Sequence, residues 1–139
     1  MRTVVAAVIE RADRRLLIGQ RRRNDTSPLK WEFPGGKVEK NEAPEAALAR
    51  ELREELGAQL LRCAPIGKVQ HKYANVGEML EILFYAAALK EDEVSPKSFE
   101  RIAWVLPKEL GDYDFLAANA QLIANLATGK IKPAEILEQ

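Results

Sequence analysis

The sequence has one cysteine, one histidine and no excess of either charge, and these shortages exclude several classes of protein. Its single cysteine, Cys63, cannot form an internal disulfide, which is typical of a protein in a reducing compartment. Cys63 lies in an apolar stretch, which favours a small core residue over a reactive thiol. Lysine and arginine number 21, as do aspartate and glutamate, so no overall charge attracts the chain to nucleic-acid polymers or acidic membranes.

Long apolar runs are also missing from the sequence. None approaches the roughly 20 residues that a membrane-spanning helix needs. Residues 1–5 resemble a first strand, without the charged-then-apolar build of a signal peptide or its small-residue cleavage site. With 139 residues the chain is long enough for one domain, 1–139, with a buried core, and we expect a cytoplasmic protein.

Apolar and β-branched runs predict five strands, and apolar residues at helical spacing predict two helices. The predicted strands are residues 4–9, 15–20, 60–73, 79–89 and 99–106, and the predicted helices are residues 41–56 and 116–127. We expect the first two strands to pair as a hairpin or meander, and the third and fourth to be joined by a turn at Asn75-Val76-Gly77. Segment 22–36 is rich in turn formers and predicts a loop. This order indicates one α+β or mixed α/β domain, with residues 130–139 as a short tail.

The first predicted helix has recognisable ends and one apolar face. Asn41 is the expected N-cap, Pro44 suits the first turn, and Gly57 is placed to end the helix. Its buried stripe is predicted to comprise Ala47, Leu48, Leu52 and Leu56. In the second helix, the residues expected to share one face are Leu116, Ala120, Ile123 and Leu126.

Three acids of the first helix carry the strongest chemical signal. Glu51, Glu54 and Glu55 stand at positions i, i+3 and i+4, so their side chains share one helix face about a turn apart. Like charges so close repel one another, and Arg50 and Arg53 are the cations nearest in sequence. A hard divalent cation such as Mg²⁺ would relieve this repulsion, since it binds carboxylate oxygens and keeps waters that substrate phosphates can replace. The alternative is a solvated charged face, as in most glutamate-rich helices.

The sequence around these acids resembles the Nudix box, G-x5-E-x7-R-E-U-x-E-E-x-G-U, in which U is apolar. The box spans residues 36–58, and its matching residues are Gly36, Glu42, Arg50, Glu51, Leu52, Glu54, Glu55 and Gly57. Seven fixed residues at these spacings would match by chance about once in a million. The departure is Ala58, which is small where a larger aliphatic is usual, and it affects packing rather than chemistry.

The resemblance implies an α/β/α sandwich around a mixed β-sheet, with the box forming loop, helix and loop. It also implies hydrolysis of a nucleoside diphosphate linked to a further group, through attack by metal-activated water on phosphorus, with Mg²⁺ or Mn²⁺ as cofactor. Glu51, Glu54 and Glu55 match the box acids that hold metal, and Arg50 matches the arginine that orients them. The resemblance makes Glu51, Glu54 and Arg50 the expected catalytic group, while the carbonyl of Gly35 corresponds to a further metal ligand.

Other acids are expected to complete the metal site. Glu42 matches a box acid that is structural or an outer metal contact in relatives. Many Nudix enzymes also use an acid distant from the box as base or metal ligand. Glu100 is the preferred candidate for it, and Glu78 and Glu81 are the alternatives.

Two segments outside the box resemble MutT-type Nudix enzymes, which act on nucleoside triphosphates. Residues 31–37, WEFPGGK, resemble the approach to the box, and residues 114–119, DFLAAN, resemble the segment that reads the base. The base-reading position is occupied by Asn119, whose amide offers a donor and an acceptor and can pair with a purine edge. Many relatives with Asp at this position act on other nucleotides, so Asn favours an 8-oxoguanine-type purine. The alternative for Asn119 is an ordinary helix cap.

Three further residues are expected to contact the nucleotide. Phe33 matches a position beside the base, with simple loop packing as the alternative. Arg21 matches a position near the nucleotide, with an ordinary surface charge as the alternative. Gly35 is expected to contact substrate as well as metal.

The leading hypothesis is therefore a MutT-type pyrophosphohydrolase that releases a nucleoside monophosphate and pyrophosphate and removes oxidised purine nucleotides such as 8-oxo-dGTP. One alternative is an enzyme for another nucleoside diphosphate derivative, such as CTP-type nucleotides, ADP-ribose or a dinucleoside polyphosphate. Another is a Nudix module that binds a nucleotide without cleaving it. Each implies a small-molecule nucleotide partner, without a nucleic-acid polymer or a membrane, and leaves open a monomer or a homodimer.

Overall fold

The protein, described here by a computed structural model over residues 1–73 and 77–139, contains all the predicted strands and helices. The strands are β1 (Arg2–Ile9), β2 (Leu16–Gln20), β3 (Trp31–Glu32), β4 (Gly35–Lys37), β5 (Leu60–Lys72), β6 (Met79–Leu89) and β7 (Arg101–Val105). The helices are α1 (Pro44–Leu56), α2 (Ala120–Ala127) and α3 (Pro133–Leu137), with 3-10 turns at Pro107–Asp112 and Ala117–Asn119. None of the described helices is long and apolar enough to cross a membrane.

The strands form a mixed four-stranded sheet, ordered β4-β1-β6-β5, and a three-stranded sheet, ordered β3-β2-β7. β1 and β2 are joined by a tight antiparallel turn, with a bridge between Glu10 and Leu16 and the N–H of Arg11 donating to the carbonyl of Arg15 at 2.8 Å. The expected pairing of the two strands themselves was wrong, because β1 lies between β4 and β6, parallel to β6, and β2 belongs to the other sheet. The reason is burial. Every residue from Val5 to Ile9 is buried, as expected for a central strand covered on both faces rather than for one arm of a hairpin.

The alternation of β1 divides the core into two layers. Val5, Ala7 and Ile9 belong to the cluster packed against α1, whereas Ala6 and Val8 belong to the cluster packed against α2. The sheet is thus covered by helices on both faces, which is the layered α/β arrangement that the Nudix resemblance implied.

Helix α1 begins three residues later than expected. Asn41 is not its N-cap but has a left-handed backbone, with φ of 65°, and Ala43 takes the cap position. The cause is Pro44 at the first helical position, because a residue before proline is driven out of the helical region and Ala43 is accordingly extended. The other end was predicted correctly. Gly57 has φ of 66° and its N–H donates to the carbonyl of Arg53 at 3.0 Å. The buried stripe is also as predicted, with Ala47, Leu48, Leu52 and Leu56.

Several local predictions need correction. Segment 22–36 is not wholly loop, since β3 and the start of β4 lie in it. The second predicted helix opens as a 3-10 turn, and Leu122 rather than Ala120 is buried with Leu126. Cys63 is only partly buried, at the edge of the α1 cluster. Asn75 and Val76 of the turn expected at Asn75-Val76-Gly77 lie outside the described residues.

Candidate active site

Two adjacent glycines bring the backbone of β4 against the acidic helix. A Cβ added to Gly36 would lie 2.5 Å from both carboxylate oxygens of Glu51. A Cβ added to Gly35 would strike the carbonyl of Val5 and lie 2.8 Å from the Cα of Ala6. Only glycine therefore lets β4 fit between β1 and the carboxylate of Glu51.

Arg50 gathers the acids of the box. Its Nε and Nη2 donate to the two carboxylate oxygens of Glu42, at 2.9 and 3.0 Å. Its Nη1 contacts both Glu51, at 2.9 Å, and Glu54, at 3.3 Å, while Nη2 also donates to the carbonyl of Lys37 at 3.0 Å. The hydrogen bonds from Arg50 lower the pKa of Glu42 to about 2. One guanidinium thus fixes the helix, β4 and the intervening loop around the acidic face.

Glu55 turns away from Arg50 and into the protein. Its carboxylate accepts the N–H of Gly35 at 2.9 Å. Burial, with the nearby carboxyl of Glu32 as the next contribution, raises the pKa of Glu55 to about 9. Glu32 is itself partly buried, which raises its pKa, although its ion pair with Arg21 opposes the rise. A cation placed beside Glu55 would hold this partly buried acid in its charged form.

The acids on this face have the ligand chemistry that a hard divalent cation requires. Glu51 and Glu54 both contact Nη1 of Arg50, so a positive group already lies between the two carboxylates. Carboxylates are also the ligands that hard cations prefer. Over residues 1–73 and 77–139, however, no three acidic, histidine or cysteine side chains already converge as a ligand set. The donor chemistry fits a metal, and binding requires at least one of these carboxylates to turn.

Two depressions adjoin along this face. The inner pocket, of about 520 Å³, has a lining that includes Phe33, Gly35, Glu55, Tyr73, Leu80 and Asn119. The outer groove, of about 840 Å³, has a lining that includes Lys40, Arg50, Glu51 and Glu54. Arg2, Lys37 and Glu78 line both depressions. The two therefore form one cleft, with apolar and aromatic side chains beside Glu55 at its inner end and mainly charged side chains at its outer end.

Asn119 and Phe33 lie at the inner end of the cleft. Asn119 is only 5% exposed, yet its side chain makes no hydrogen bond with any described residue and does not cap α2. The cap alternative therefore has no support in this geometry. Phe33 lines the pocket and also packs on Phe115, with ring centroids 5.4 Å apart. Phe33 therefore both packs within the loop and lines the cleft.

Backbone hydrogen bonds join the two segments that resembled MutT-type enzymes. The N–H of Trp31 donates to the carbonyl of Asp114 at 2.8 Å, and the N–H of Leu116 donates to the carbonyl of Trp31 at 3.0 Å. Trp31 and Phe115 form a parallel bridge. Segments 83 residues apart thus create one pocket wall, which puts Phe33 and Asn119 in the same cavity.

Arg21 lines the inner pocket, but its guanidinium is used within the protein. Nε and Nη2 donate to the carbonyl and hydroxyl oxygens of Thr26, at 2.6 and 2.8 Å. Nη1 donates to Glu32 at 3.0 Å, and Asp25 lies 3.0 Å from Nη2. Arg21 is therefore not a free surface charge. It holds the loop that forms one side of the pocket.

Glu100 is placed apart from the other predicted site residues. Its carboxylate is paired with Arg23 at 3.8 Å, and it lines neither the inner pocket nor the outer groove. Of the alternative acids, Glu78 reaches the cleft. A metal contact from Glu100 stays a prediction.

Tyr73 is a pocket residue that the sequence did not indicate. It lines the inner pocket, and its hydroxyl oxygen accepts the N–H of Ala118 at 2.9 Å. That bond fixes the 3-10 turn carrying Asn119. The available signal was an aromatic residue at the end of a polar strand, and no motif distinguishes it from a packing residue.

Replacing Tyr73 with phenylalanine should therefore destabilise the protein by about 1 kcal/mol, because the buried N–H of Ala118 loses its acceptor. Urea unfolding measures the change. Tyr113→Phe is the matched control, since no described residue hydrogen-bonds the hydroxyl of Tyr113, and it should unfold as the unmodified protein does. Equal stability of the two variants would contradict the role given to Tyr73.

A family model, curated relatives and solved structures each match most of this chain. The family model described as the NUDIX domain matches residues 1–126. The CTP pyrophosphohydrolase of Escherichia coli strain K12 is 33% identical over 135 residues, covering 95% of this chain and 96% of the relative. The putative 8-oxo-dGTP diphosphatase 2 of Mycobacterium tuberculosis is 37% identical over 124 residues, covering 89% and 86%. The crystal structure of a MutT NUDIX hydrolase from Burkholderia pseudomallei matches with a TM-score of 0.77 at 31% identity, over 88% of this chain and 95% of that chain.

Proposed function

Because the chain belongs to the NUDIX family, we propose that it hydrolyses nucleoside triphosphates to a nucleoside monophosphate and pyrophosphate, with oxidised purine nucleotides such as 8-oxo-dGTP preferred. The observation that carries this proposal is the cleft itself. A buried amide and an aromatic ring, Asn119 and Phe33, lie in the inner pocket with Glu55, and two further acids of the box, Glu51 and Glu54, line the outer groove. A nucleotide has the same division, with a flat polar-edged base joined to a chain of phosphates.

Asn119 is proposed to read the base. Its side-chain amide has no partner among the described residues, so both its N–H donors and its carbonyl acceptor are available to a ligand. A purine edge offers a donor and an acceptor side by side, which suits a bidentate contact. Phe33 supplies an apolar surface beside the base, and Arg21 keeps the facing loop in place. Substrate binding is thus assigned to Asn119, Phe33, Arg21 and the backbone at Gly35.

The acids are proposed to serve the phosphate end of the substrate. Nudix hydrolases generally use divalent metal ions, and we propose Mg²⁺ or Mn²⁺ for this protein. Such ions, when bound, lower the pKa of water and neutralise the charge of phosphate groups. Glu51, Glu54, Glu55 and the carbonyl of Gly35 would hold them. Arg50 keeps the carboxylates of Glu51 and Glu54 side by side, and this pair is proposed to accept the proton of the attacking water.

We propose that the protein acts in the cytoplasm, on the basis of the charge and the cysteine content of its sequence. A balanced charge fits free nucleotides better than nucleic-acid polymers, and a single cysteine fits a reducing cytoplasm.

Cytidine triphosphates are the second candidate substrate. The relative named CTP pyrophosphohydrolase matches 95% of this chain. An asparagine amide can also pair with the donor and acceptor of a cytosine edge, so Asn119 alone does not reject this class.

A substrate panel tests the proposal. Purified protein with Mg²⁺ is offered 8-oxo-dGTP, dGTP, CTP and ADP-ribose, and kcat/KM is measured for each. The highest value is expected for 8-oxo-dGTP. A preference for CTP would transfer the proposal to the second candidate, and a preference for ADP-ribose would overturn both.

Replacing Asn119 with alanine should reduce the preference of the enzyme among bases by about tenfold, the value of one or two neutral hydrogen bonds. Turnover of the least preferred nucleotide should hardly change, because the acids are untouched. Asn125→Ala, in the helix α2 that follows Asn119 and outside the cleft, is the control. If the order and ratio of kcat/KM values survive in Asn119→Ala, the base-reading role is wrong.

A further inference from the structure

An ion pair stands where the inner pocket and the outer groove meet. Arg2 begins β1, and Glu78 precedes the neighbouring strand β6 by one residue. The Nε atom of Arg2 donates to a carboxylate oxygen of Glu78 at 2.9 Å, and both residues line both depressions. A phosphate chain that runs from the pocket into the groove must therefore pass this pair.

The ion pair between Arg2 and Glu78 is weak enough for another anion to displace Glu78. The side chains of Arg2 and Glu78 are 45% and 43% exposed, so water screens their attraction and the pair adds little to stability. A phosphate group offers the same guanidinium more charge than a carboxylate and an equally good bidentate geometry. A substrate phosphate can therefore replace Glu78 as the partner of Arg2 at small cost.

The cationic side chains that line the outer groove are those of Lys37, Lys40 and two arginines, Arg2 and Arg50. Arg50, the guanidinium inside it, is already occupied by the carboxylates of Glu42, Glu51 and Glu54. Among the described residues, the guanidinium of Arg2 has one partner, Glu78, which it contacts through Nε. Its Nη groups can therefore bind a ligand. Arg2 is thus the guanidinium of the cleft that can bind a new anion without dismantling the acidic site.

We propose that Arg2 binds the distal phosphates of the substrate, and that Glu78 holds Arg2 at the junction until a phosphate takes its place. The inference rests on the proposed function, since it requires a phosphate chain in the cleft. Because Arg2 also lines the outer groove, its guanidinium can reach the phosphates beyond the junction, which lie furthest from the base end at Asn119.

Two variants with opposite expected effects test the proposal. Probes are the non-hydrolysable α,β-imido analogue of dGTP, and dGMP, with Kd measured by calorimetry at fixed Mg²⁺. Arg2→Ala should raise the Kd of the triphosphate analogue about tenfold, as for loss of one charge-assisted contact, and that of dGMP less than about twofold. Glu78→Gln should lower the Kd of the analogue about threefold, because Arg2 loses its competing partner. In turnover of dGTP, the change in Arg2→Ala should fall on KM more than on kcat.

Control and double variants separate this role from general charge effects. Arg14→Ala and Glu91→Gln remove like charges at exposed sites outside the cleft and should leave both Kd values unchanged. In the double variant Arg2→Ala with Glu78→Gln, the gain from Glu78→Gln should disappear, since Glu78 acts through Arg2.

Three results would overturn the proposal. They are an Arg2→Ala variant that binds like Arg14→Ala, an equal loss for dGMP and the analogue, or a gain from Glu78→Gln that persists without Arg2. Failure of the proposed function looks different, because the unmodified protein would then neither bind the analogue nor hydrolyse dGTP.

Discussion

Glu54→Gln is expected to lower kcat for nucleoside triphosphates by about a thousandfold or more, comparable to removal of a principal electrostatic group from an active site. The amide keeps the shape of the side chain but removes the negative charge that would hold a divalent cation or accept a proton. The fold should survive, because the Glu54 side chain is 57% exposed and its described partner is Arg50, at 3.3 Å. Steady-state kinetics with Mg²⁺ and urea unfolding together measure the two expectations, with a stability change below about 0.5 kcal/mol.

Glu135→Gln provides the control for this variant. Glu135 is similarly exposed, at 62%, and lies on α3 outside the cleft, so its replacement should change neither kcat nor stability. Full activity in Glu54→Gln would refute its place in the metal site. Loss of activity together with unfolding would show a structural role instead.

Gly36→Ala is expected to lower kcat about a hundredfold and to destabilise the protein by about 1–3 kcal/mol, the usual costs of a displaced catalytic group and of overpacking. The new Cβ would lie 2.5 Å from both oxygens of the Glu51 carboxylate, so that side chain must leave its position beside Arg50. Kinetics and urea unfolding measure both effects.

The matched control is Gly67→Ala. Gly67 lies in β5 and a Cβ there would meet nothing within 4 Å, so the same chemical change should be nearly silent. Wild-type kinetics in Gly36→Ala would show that the close approach of β4 to Glu51 has no part in catalysis.

The ends of α1 could be predicted from the sequence because single residues determine them. Gly57 takes a left-handed backbone that other residues disfavour, and Pro44 fixes the first helical position. The same Pro44 explains the error at Asn41, since the restriction on the residue before proline outweighs the capping preference of asparagine. Local chemistry decides such features, so local sequence reveals them.

Strand pairing could not be predicted in the same way. β1 pairs in parallel with β6, about 80 residues later, because both bury apolar side chains on two faces. That partnership depends on the whole core, and no turn residue announces it. The positions of Arg2 and Glu78 at the junction of the cleft follow from this pairing and were equally hidden.

The carboxylate cluster was predicted as a shared helix face, and the structure divides its tasks. Glu51 and Glu54 contact Arg50, whereas Glu55 turns inward to the N–H of Gly35. Helical spacing gives the common face but not the partners, which are Arg50 on the same helix for Glu51 and Glu54, and the N–H of Gly35 on β4 for Glu55. Tyr73 was missed for a similar reason, since its partner, the N–H of Ala118, lies 45 residues away.

Product analysis of dGTP and 8-oxo-dGTP hydrolysis by ³¹P NMR tests the central claim most directly. A cleft that reads the base at Asn119 and places the acids of the box beside the phosphates should release the nucleoside monophosphate and pyrophosphate in equal amounts, and only when a divalent ion is present. Release of a nucleoside diphosphate with orthophosphate, or the same turnover in the presence of a chelator, would contradict it.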